Sequence, residues 1–302
     1  MKVISLPVGI LVPERRPEIT FVLGHELQHA LNNPAMQATH ERFLEAIGYA
    51  AQMACDYTLA IRDHLAYQRV DEASANLTGW NALVEHVRDA YPQASLAHVV
   101  LKSWRAEDFV TPTRGAKMYA ARPGLTIKPD LTIDPSPANI EAIGRYYFDK
   151  DPGHTKIGYL GTSDYLNLYG AEAVSQVAAF HRDYNDGQHP PPIMIINATE
   201  LGLSRKIMEE NGIDLQGQPT QPYLDCSTDP PRLEFLHHTI TTHRHVPTDF
   251  QAPAPSAAPD PSVALARTPP GLSRTFTPRL HPGANLRRRA PGRGPAVDPR
   301  ER

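Results

Sequence analysis

Apolar and polar positions follow a helical period over residues 18–32, close to the start of the chain. Placed at 100° per residue, the apolar side chains of this segment form one stripe, which consists of Ile19, Leu23, Leu27, Ala30 and Leu31. The polar residues His25, Glu26 and His29 lie together beside that stripe. The pattern predicts an amphipathic helix that packs its apolar stripe against the core and that Pro34 brings to an end.

Two further segments with helical periodicity follow. Residues 39–67 predict a helix of about seven turns. Residues 70–91 predict a third helix, in which Glu72 lies at the margin of the apolar stripe. The two histidines of the first helix also lie at the margin of their stripe. If the first and third helices pack through these stripes, Glu72 comes close to the histidines.

The second half of the chain mixes loops, helices and a strand. Residues 106–140 are rich in Pro, Gly, Thr and Asp and predict loops with short extended pieces. The best strand pattern is the apolar segment "PPIMIIN" at residues 191–197. Helical patterns occupy residues 139–149, 171–184 and 200–215. The sequence therefore predicts an α+β fold that is mainly helical and contains a small sheet.

The composition changes abruptly near residue 248. Residues 248–302 hold 11 of the 30 prolines, and nine Lys/Arg stand there against four Asp/Glu. Runs such as "RRRAPGRGP" bury too few apolar side chains to offset the entropy cost of ordering the chain. We therefore predict a single catalytic domain over residues 1–247, helical over 17–105 and mixed α/β over 106–247, followed by a disordered Pro/Arg-rich tail.

Charge and cysteine content argue against several classes of protein. The formal charge of the chain is −3, and the tail alone is about +5, so the preceding residues are acidic. An acidic body argues against nucleic acid as the main ligand. Two distant cysteines, Cys55 and Cys226, do not indicate a disulfide-rich secreted scaffold.

Targeting signals are also missing from the sequence pattern. The N-terminal residues lack the long apolar region of a Sec signal peptide, and no stretch of about 18 apolar residues could span a membrane. We therefore expect a protein that is cytoplasmic in the producing cell, or that a dedicated secretion system exports.

The segment "TFVLGHELQHALNN" contains the motif H-E-x-x-H, which combines two metal-ligand side chains with a general base. Histidines at i and i+4 project from one face of a helix, so both rings can reach a single cation. Glu26 lies beside the first histidine and could take a proton from a metal-bound water, whose pKa falls from 15.7 to roughly 7. The alternative is an exposed polar patch. Desolvating these side chains beside a core stripe without partners would be costly, which favours a metal site.

A catalytic zinc site of this kind needs a third protein ligand and one open position. The candidates are downstream histidines and the carboxylates of Glu41, Glu45, Asp71 and Glu72. Glu72 is preferred because it lies at the margin of its helix stripe, as the histidines do on theirs. Glu45 is the second choice and Asp71 the third.

The segment "GHELQHALN" resembles the active-site helix of zincin metallopeptidases, and "EASAN" is similar to the E-x-x-A-N helix of the ImmA/IrrE-like metallopeptidases. The resemblance implies that His25 and His29 are zinc ligands, that Glu72 is the third ligand and that Glu26 is the general base. It also implies a zincin-like catalytic domain that hydrolyses peptide bonds of a protein or peptide substrate with a zinc-bound water. The overall layout resembles bacterial effector proteins that carry a zincin domain and a separate export segment.

An aromatic region further along the chain offers donors for the reaction. Zincins usually place a His or Tyr near the carbonyl oxygen that becomes an oxyanion. Tyr165 is the preferred candidate, and the others are Tyr159, Tyr169, His154 and His181. The segment "GTSDYLNLYG" in this region also resembles the aspzincin signature, in which the aspartate is the third ligand. That resemblance would place Asp164 in the role assigned above to Glu72.

Two functions of different kinds are consistent with these motifs. The first is a zinc-dependent metallopeptidase. The second is a non-catalytic zinc-binding interaction protein, in which the metal stabilises the fold and the tail recruits a partner. The intact Glu26 favours the enzyme, because a purely structural metal site needs no general base.

Overall fold

The computed structural model describes residues 12–114 and 118–239. The segment "KVISLPVGILV" at residues 2–12, whose apolar run predicts a strand, lies outside the described residues except at Val12, and the predicted tail at 248–302 lies wholly outside them. The described α-helices are α1 (Arg16–Gln52), α2 (Thr58–Ala90), α3 (Leu96–Lys102), α4 (Pro137–Tyr147), α5 (Pro152–Thr155), α6 (Tyr165–Tyr184) and α7 (Arg205–Asn211). The described strands are β1 (Val110–Pro112), β2 (Tyr119–Ala121), β3 (Met194–Ile196), β4 (Thr220–Asp225) and β5 (Arg232–His237).

The strands form two small sheets. Strands β1 and β2 pair antiparallel, while the second sheet has the order β3-β4-β5, with β3 parallel and β5 antiparallel to β4. Helices account for most of the regular structure in the described residues. The predicted α+β class, mainly helical with a small sheet, is therefore confirmed.

Helices α1 and α2 form a long antiparallel hairpin. The two helices contact each other at successive positions away from the turn. Phe43 stacks on His64, Asn32 donates a hydrogen bond to Ser74, and farther from the turn Thr78 donates a hydrogen bond to Gln28. Two helices of 37 and 33 residues thus pack along much of their length. This hairpin is the frame on which the polar residues of the motif are placed.

The prediction that Pro34 ends the first helix is wrong. Helix α1 continues through Pro34, whose side chain is exposed. A proline inside a helix costs about 3 kcal/mol, through a lost hydrogen bond and a steric clash. Contacts with α2 on both sides of Pro34, at Asn32 and at Phe43, outweigh this cost and keep the two segments in line.

The chain reverses instead at residues 53–57, inside the segment predicted as one helix. Cys55 adopts a left-handed conformation with φ 58°. Its carbonyl accepts a hydrogen bond of 2.8 Å from the amide of Ile195 in β3, and the amide of Tyr57 donates back to the Ile195 carbonyl at 3.0 Å. The hydrogen bonds to β3 therefore determine where α1 ends and where α2 begins.

The face of α1 that was predicted to be buried is on the outside. Leu27 is 54% exposed and Leu31 73% exposed. The buried side chains near the motif are instead Phe21, Val22, His25 and His29. We call the five residues of the predicted stripe the outer stripe of α1, namely Ile19, Leu23, Leu27, Ala30 and Leu31.

A close approach of the two helices explains which face of α1 is buried. A Cβ atom added to Gly79 would lie 2.8 Å from the backbone oxygen of Phe21, and one added to Gly24 would lie 3.0 Å from the Cβ atom of Ala82. Side chains larger than hydrogen at these two positions would force the helices apart. The face of α1 that carries Phe21 and Gly24 therefore packs on α2, and Leu27 and Leu31 are left outside.

Two apolar cores lie along the hairpin. One surrounds its turn end and joins Phe43 and Ile61 to α6 and to the three-stranded sheet. The other surrounds the open end, where Trp80 is fully buried and stacks on Phe109 with ring centroids 4.6 Å apart. Along α1, the two histidines of the motif lie between these cores.

A helix that crosses a lipid bilayer needs about 20 consecutive, mostly apolar residues. In residues 12–114 and 118–239, none of the helices combines the length and the apolar character needed to cross a membrane. The long helices α1 and α2 both carry many polar and charged side chains along their length.

Candidate metal centre

Three buried side chains from the hairpin converge on one point: His25 and His29 of α1 and Glu72 of α2. Their solvent exposure is 7%, 5% and 5%. The Nε2 atoms of the two histidines are 3.0 Å apart, and their rings meet edge to face. The Glu72 carboxylate lies 3.5 Å from Nε2 of His25 and 3.7 Å from Nε2 of His29. This group could hold a metal ion.

The spacing of the donor atoms agrees with a single cation. Zinc binds His nitrogen at roughly 2.0–2.1 Å and carboxylate oxygen at roughly 2.0–2.2 Å in a tetrahedral arrangement, which separates neighbouring ligand atoms by about 3.3–3.5 Å. The three measured separations fall between 3.0 and 3.7 Å. Two neutral nitrogens and one carboxylate oxygen form a donor set that binds divalent transition metals well. The residues present therefore fit a metal ion.

Asp71 orients one of the histidines. Nδ1 of His29 donates a hydrogen bond of 2.8 Å to Oδ2 of Asp71, which leaves the Nε2 lone pair directed toward the other donor atoms. Asn32 in turn donates to Oδ1 of Asp71 at 2.8 Å. Asp71 was the third choice for the metal ligand, and the structure instead makes it a hydrogen-bond partner of His29.

Tyr169 holds the carboxylate of the third member. Its hydroxyl donates a short hydrogen bond to Oε1 of Glu72. Burial, and after it the negative charge of Glu72, raise the pKa of the Tyr169 hydroxyl well above its usual value. The hydroxyl therefore remains a proton donor throughout the neutral range, and it fixes the direction in which Glu72 points.

Tyr165, the predicted oxyanion donor, lies in an aromatic cluster next to this group. Its hydroxyl hydrogen-bonds with that of Tyr147, and the Tyr147 ring packs edge to face on His25 with centroids 6.1 Å apart. Burial is the main cause that raises the pKa of both Tyr147 and Tyr165, and Glu72 adds to it. Tyr165 is thus linked to His25 through Tyr147.

The position of Glu26, the predicted general base, follows from its place in helix α1. It follows His25 directly on α1 and is partly buried, between the buried face and the outer stripe. Successive residues on a helix are about 100° apart, so its side chain leaves α1 beside the ligand face. That position suits a group that acts next to the metal ligands.

The other carboxylates considered as ligands do not join the group. Glu41 and Glu45 are exposed on α1, about 18 and 24 Å beyond His29 at 1.5 Å per residue. Asp164 caps the N-terminus of α6, where its carboxylate accepts a hydrogen bond of 2.6 Å from the amide of Asn167. The role suggested for Asp164 by the aspzincin resemblance is therefore replaced by a structural one.

The remaining aromatic candidates are also placed elsewhere. Tyr159 is 61% exposed, and His154 is exposed and paired with Asp151. His181 is buried, and its Nδ1 hydrogen-bonds with the Tyr57 hydroxyl at 2.9 Å. These contacts give His154 and His181 local roles.

The sequence did not point to Tyr147. It lies in α4, which was predicted as a helix, and its buried position there is an ordinary one for an aromatic side chain. Only the contact between α4 and α2 brings it to His25. The role of Asp71 could have been found, because a carboxylate beside a predicted ligand is well placed to bind a ligating histidine.

Comparisons with protein-family models, with curated proteins and with solved structures gave no match to this chain. The resemblance to zincins therefore depends on the short motifs alone. What the chain does has to be inferred from the geometry and chemistry of its own residues.

Proposed function

We propose that this protein is a zinc-dependent metallopeptidase in which His25, His29 and Glu72 hold the metal and Glu26 is the general base. The observation that carries the proposal is the convergence of the three donor atoms from two helices, with Glu26 next to one of them. In a chance occurrence of H-E-x-x-H, nothing requires a distant carboxylate to lie within 4 Å of both histidine nitrogens.

The donor set and Glu26 together support zinc as the metal. Magnesium and calcium prefer sites made entirely of oxygen, whereas two histidines with a carboxylate suit zinc or iron(II). Glu26 favours zinc and hydrolysis, because a base beside the metal is what the activation of water requires. A bound zinc ion would polarise the carbonyl of the substrate and lower the pKa of water to roughly 7.

The residues around the three proposed ligands would transfer the proton and hold the ligands in position. Glu26 accepts a proton from the attacking water and delivers it to the departing amine. Asp71 keeps His29 in one tautomer, and Tyr169 keeps Glu72 in one orientation. Both partners are themselves buried or partly buried, so the ligands are held in place before a metal arrives.

An oxyanion donor is available in the tyrosine pair. We assign Tyr147 as the nearer donor, since its ring contacts His25, and Tyr165 as the residue that orients it through the bond between their hydroxyls. Tyr165, which the sequence analysis predicted as the oxyanion donor itself, thus takes the orienting role instead. Because both hydroxyls stay protonated at neutral pH, either can stabilise negative charge on a carbonyl oxygen.

The competing function is a non-catalytic zinc-binding interaction protein. It would use the same three ligands and would not depend on Glu26. The partly buried position of Glu26 beside His25 favours the enzyme. Both functions predict the same metal content, but only the metallopeptidase predicts turnover of a substrate.

The proposal is tested by metal analysis together with turnover. The full-length protein is stripped with chelator, supplied with Zn²⁺ and analysed for bound metal and for cleavage of labelled casein. We expect about one zinc per chain and zinc-dependent cleavage, both lost in the double variant His25→Ala/His29→Ala. Binding of iron in preference to zinc, or of no metal, contradicts the proposal. Zinc binding without cleavage of casein or of a mixed peptide library supports the interaction protein.

A further inference from the structure

The side chain of Arg69 in α2 holds the α4 segment at two points. Its Nη1 and Nη2 atoms donate hydrogen bonds of 2.7 and 3.1 Å to the two carboxylate oxygens of Glu141 in α4. Its Nε and Nη2 atoms donate bonds of 2.8 Å to the two carboxylate oxygens of Asp149, just beyond the end of α4. One planar guanidinium thus binds two carboxylates in paired geometry, which is the strong form of this interaction. We call Arg69, Glu141 and Asp149 the arginine clamp.

The guanidinium also lies against the backbone of α4, at a residue between the two carboxylates in sequence. A Cβ atom added to Gly144 would lie 2.7 Å from both Cζ and Nη1 of Arg69, closer than real Cβ atoms approach such groups. Glycine is therefore what lets the guanidinium reach this position. Isolated ion pairs at a surface contribute little, but paired arginine–carboxylate geometry in a network is the exception. The clamp and the glycine contact together make the position of α4 on α2 specific.

The clamp and the metal centre are about one helical turn apart on both helices. In α4, Tyr147 follows Gly144 by three residues, is 6% exposed, and packs its ring edge to face on His25 with centroids 6.1 Å apart. In α2, Glu72 follows Arg69 by three residues. Three residues of a helix span about 4.5 Å along its axis. A small tilt or shift of α4 at the clamp is therefore transmitted to Tyr147.

We propose that Arg69 is a positioning residue, which through α4 holds Tyr147 against His25. Apolar side chains such as Ile143 and Phe148 attach α4 to the core, but apolar contact has no preferred direction and does not by itself fix the angle of the helix. The directional hydrogen bonds of the clamp fix that angle. The inference rests on the proposed function only for its effect on the reaction, in which Tyr147 donates to the oxyanion.

The ring resonances of His25 measure the position of Tyr147. They are recorded by NMR on the full-length chain with isotope-labelled histidine, with and without added Zn²⁺, and His25→Gln assigns them. Because an aromatic ring shifts the resonances of nearby nuclei, Tyr147→Leu should move the His25 signals. Arg69→Met should move them in the same direction, since it releases α4 from the clamp. Unmoved His25 signals in either variant overturn the proposal.

A matched substitution separates the effect of position from the effect of charge. Arg62→Met removes an arginine of the same helix, about two turns before Arg69, whose Nη1 lies 3.1 Å from Oε1 of Glu200. It removes the same charge and leaves α4 clamped, so the His25 signals should stay where they are in the unchanged protein. An equal movement in Arg62→Met would mean that the signals follow charge, and it would overturn the proposal.

A substitution in α4 tests the same contact from the other side. Gly144→Ala places a methyl group against the guanidinium and should move the His25 signals as Arg69→Met does. The combination should move them little further than Arg69→Met alone, since both changes disrupt one contact. Fully additive movements contradict the proposal. If Arg69→Met does not fold, Glu141→Gln/Asp149→Asn weakens the clamp in its place and is judged by the same criteria.

Turnover measures the consequence for the reaction. With labelled casein, Arg69→Met should lower kcat by about 10–100-fold while KM and zinc content stay unchanged, because a displacement of about 1 Å can cost roughly 10²-fold in rate. Arg62→Met should keep kcat. Unchanged kcat in Arg69→Met, together with moved His25 signals, would contradict a role in the reaction. If the unchanged protein hydrolyses no peptide, the proposed function fails, and the His25 signals still decide whether Arg69 positions Tyr147.

Discussion

Two places along the α1–α2 hairpin bury histidine side chains, and their surroundings differ. His25 and His29 face the carboxylates of Glu72 and Asp71 at 2.8–3.7 Å. Nearer the turn, His64 is 6% exposed and stacks on Phe43 with ring centroids 4.4 Å apart. Its Nε2 contacts the Gln68 amide at 3.2 Å. The same residue type on the same hairpin thus meets anions in one place and an aromatic ring in the other.

The difference shows why we propose a metal centre at the first place and not at the second. Burial, and after it the proximity of His40, lower the pKa of His64 to about 4, so the ring is neutral and serves as core. A neutral ring alone gives a metal one donor atom. At the other place, Glu72 supplies the negative charge that a cation needs, and Asp71 fixes the direction of the lone pair.

The largest effect is expected for the base. Glu26→Gln keeps the size and helix propensity of the side chain and removes the proton acceptor. Hydrolysis should fall by about 10²–10⁴-fold while zinc remains bound, as measured by turnover and metal content on the same sample. His64→Phe is the matched control from the other region and should keep full activity. An active Glu26→Gln enzyme would rule out the proposed mechanism.

The next effect concerns the third ligand. Glu72→Gln should weaken zinc binding by more than the roughly 10–100-fold typical of an outer hydrogen-bond partner, because a ligand charge is lost. Excess Zn²⁺ should restore part of the activity and raise Tm through mass action. Glu45→Gln, at an exposed position of α1, should bind zinc like the unchanged protein. Loss of zinc in Glu45→Gln with retention in Glu72→Gln would reverse the assignment.

A smaller effect is expected for Asp71. Asp71→Asn keeps the shape of the side chain but weakens the charge-assisted bond to His29, and zinc affinity should fall by about 10–100-fold. Competition titration with a chelator of known affinity measures this change. An affinity as low as that of Glu72→Gln would show that Asp71 is itself a ligand.

The smallest effect is a dependence of stability on pH that comes from His64. Its pKa falls from about 6.5 in the unfolded chain to about 4 in the folded one, so below pH 6.5 the unfolded chain binds the proton more readily. The stability due to the neutral ring is complete above pH 6.5 and is lost as pH falls toward 4. His64→Phe should remove this loss, on the order of 1–2 kcal/mol, in denaturant unfolding at pH 7 and pH 4.5. Parallel pH profiles for the two proteins would contradict this account.

Local sequence pattern predicted much of the fold and of the site. Periodicity located α4, α7 and β3, and the motif with its marginal glutamate identified His25 and Glu72 as neighbours. The elements depend on side chains that lie on one face of one element, which a sequence displays directly. Glu72 lies close to the histidines although the α1 stripe through which the helices were predicted to pack is on the outside.

The errors have a common physical origin in tertiary contacts. Pro34 predicts the end of a helix, but contacts with α2 stabilise α1 so that the helix continues past this residue. Nothing in "QMACDY" signals a break, because Cys55 adopts its left-handed backbone to bond with β3. The buried face of α1 was misplaced because Gly24 of α1 and Gly79 of α2 allow a close approach of the two helices on that face.

The glycine contact between the helices has a consequence for metal selectivity. Two ligands come from α1 and one from α2, so the distance between the helix axes sets the size of the coordination sphere. Metal ions tolerate errors of about 0.2 Å in ligand distance. A methyl group at residue 79 would displace the helices by more than that, given its 2.8 Å approach to Phe21. The radius of the ion that suits the proposed metal centre thus depends on a residue that has no donor atom in its side chain.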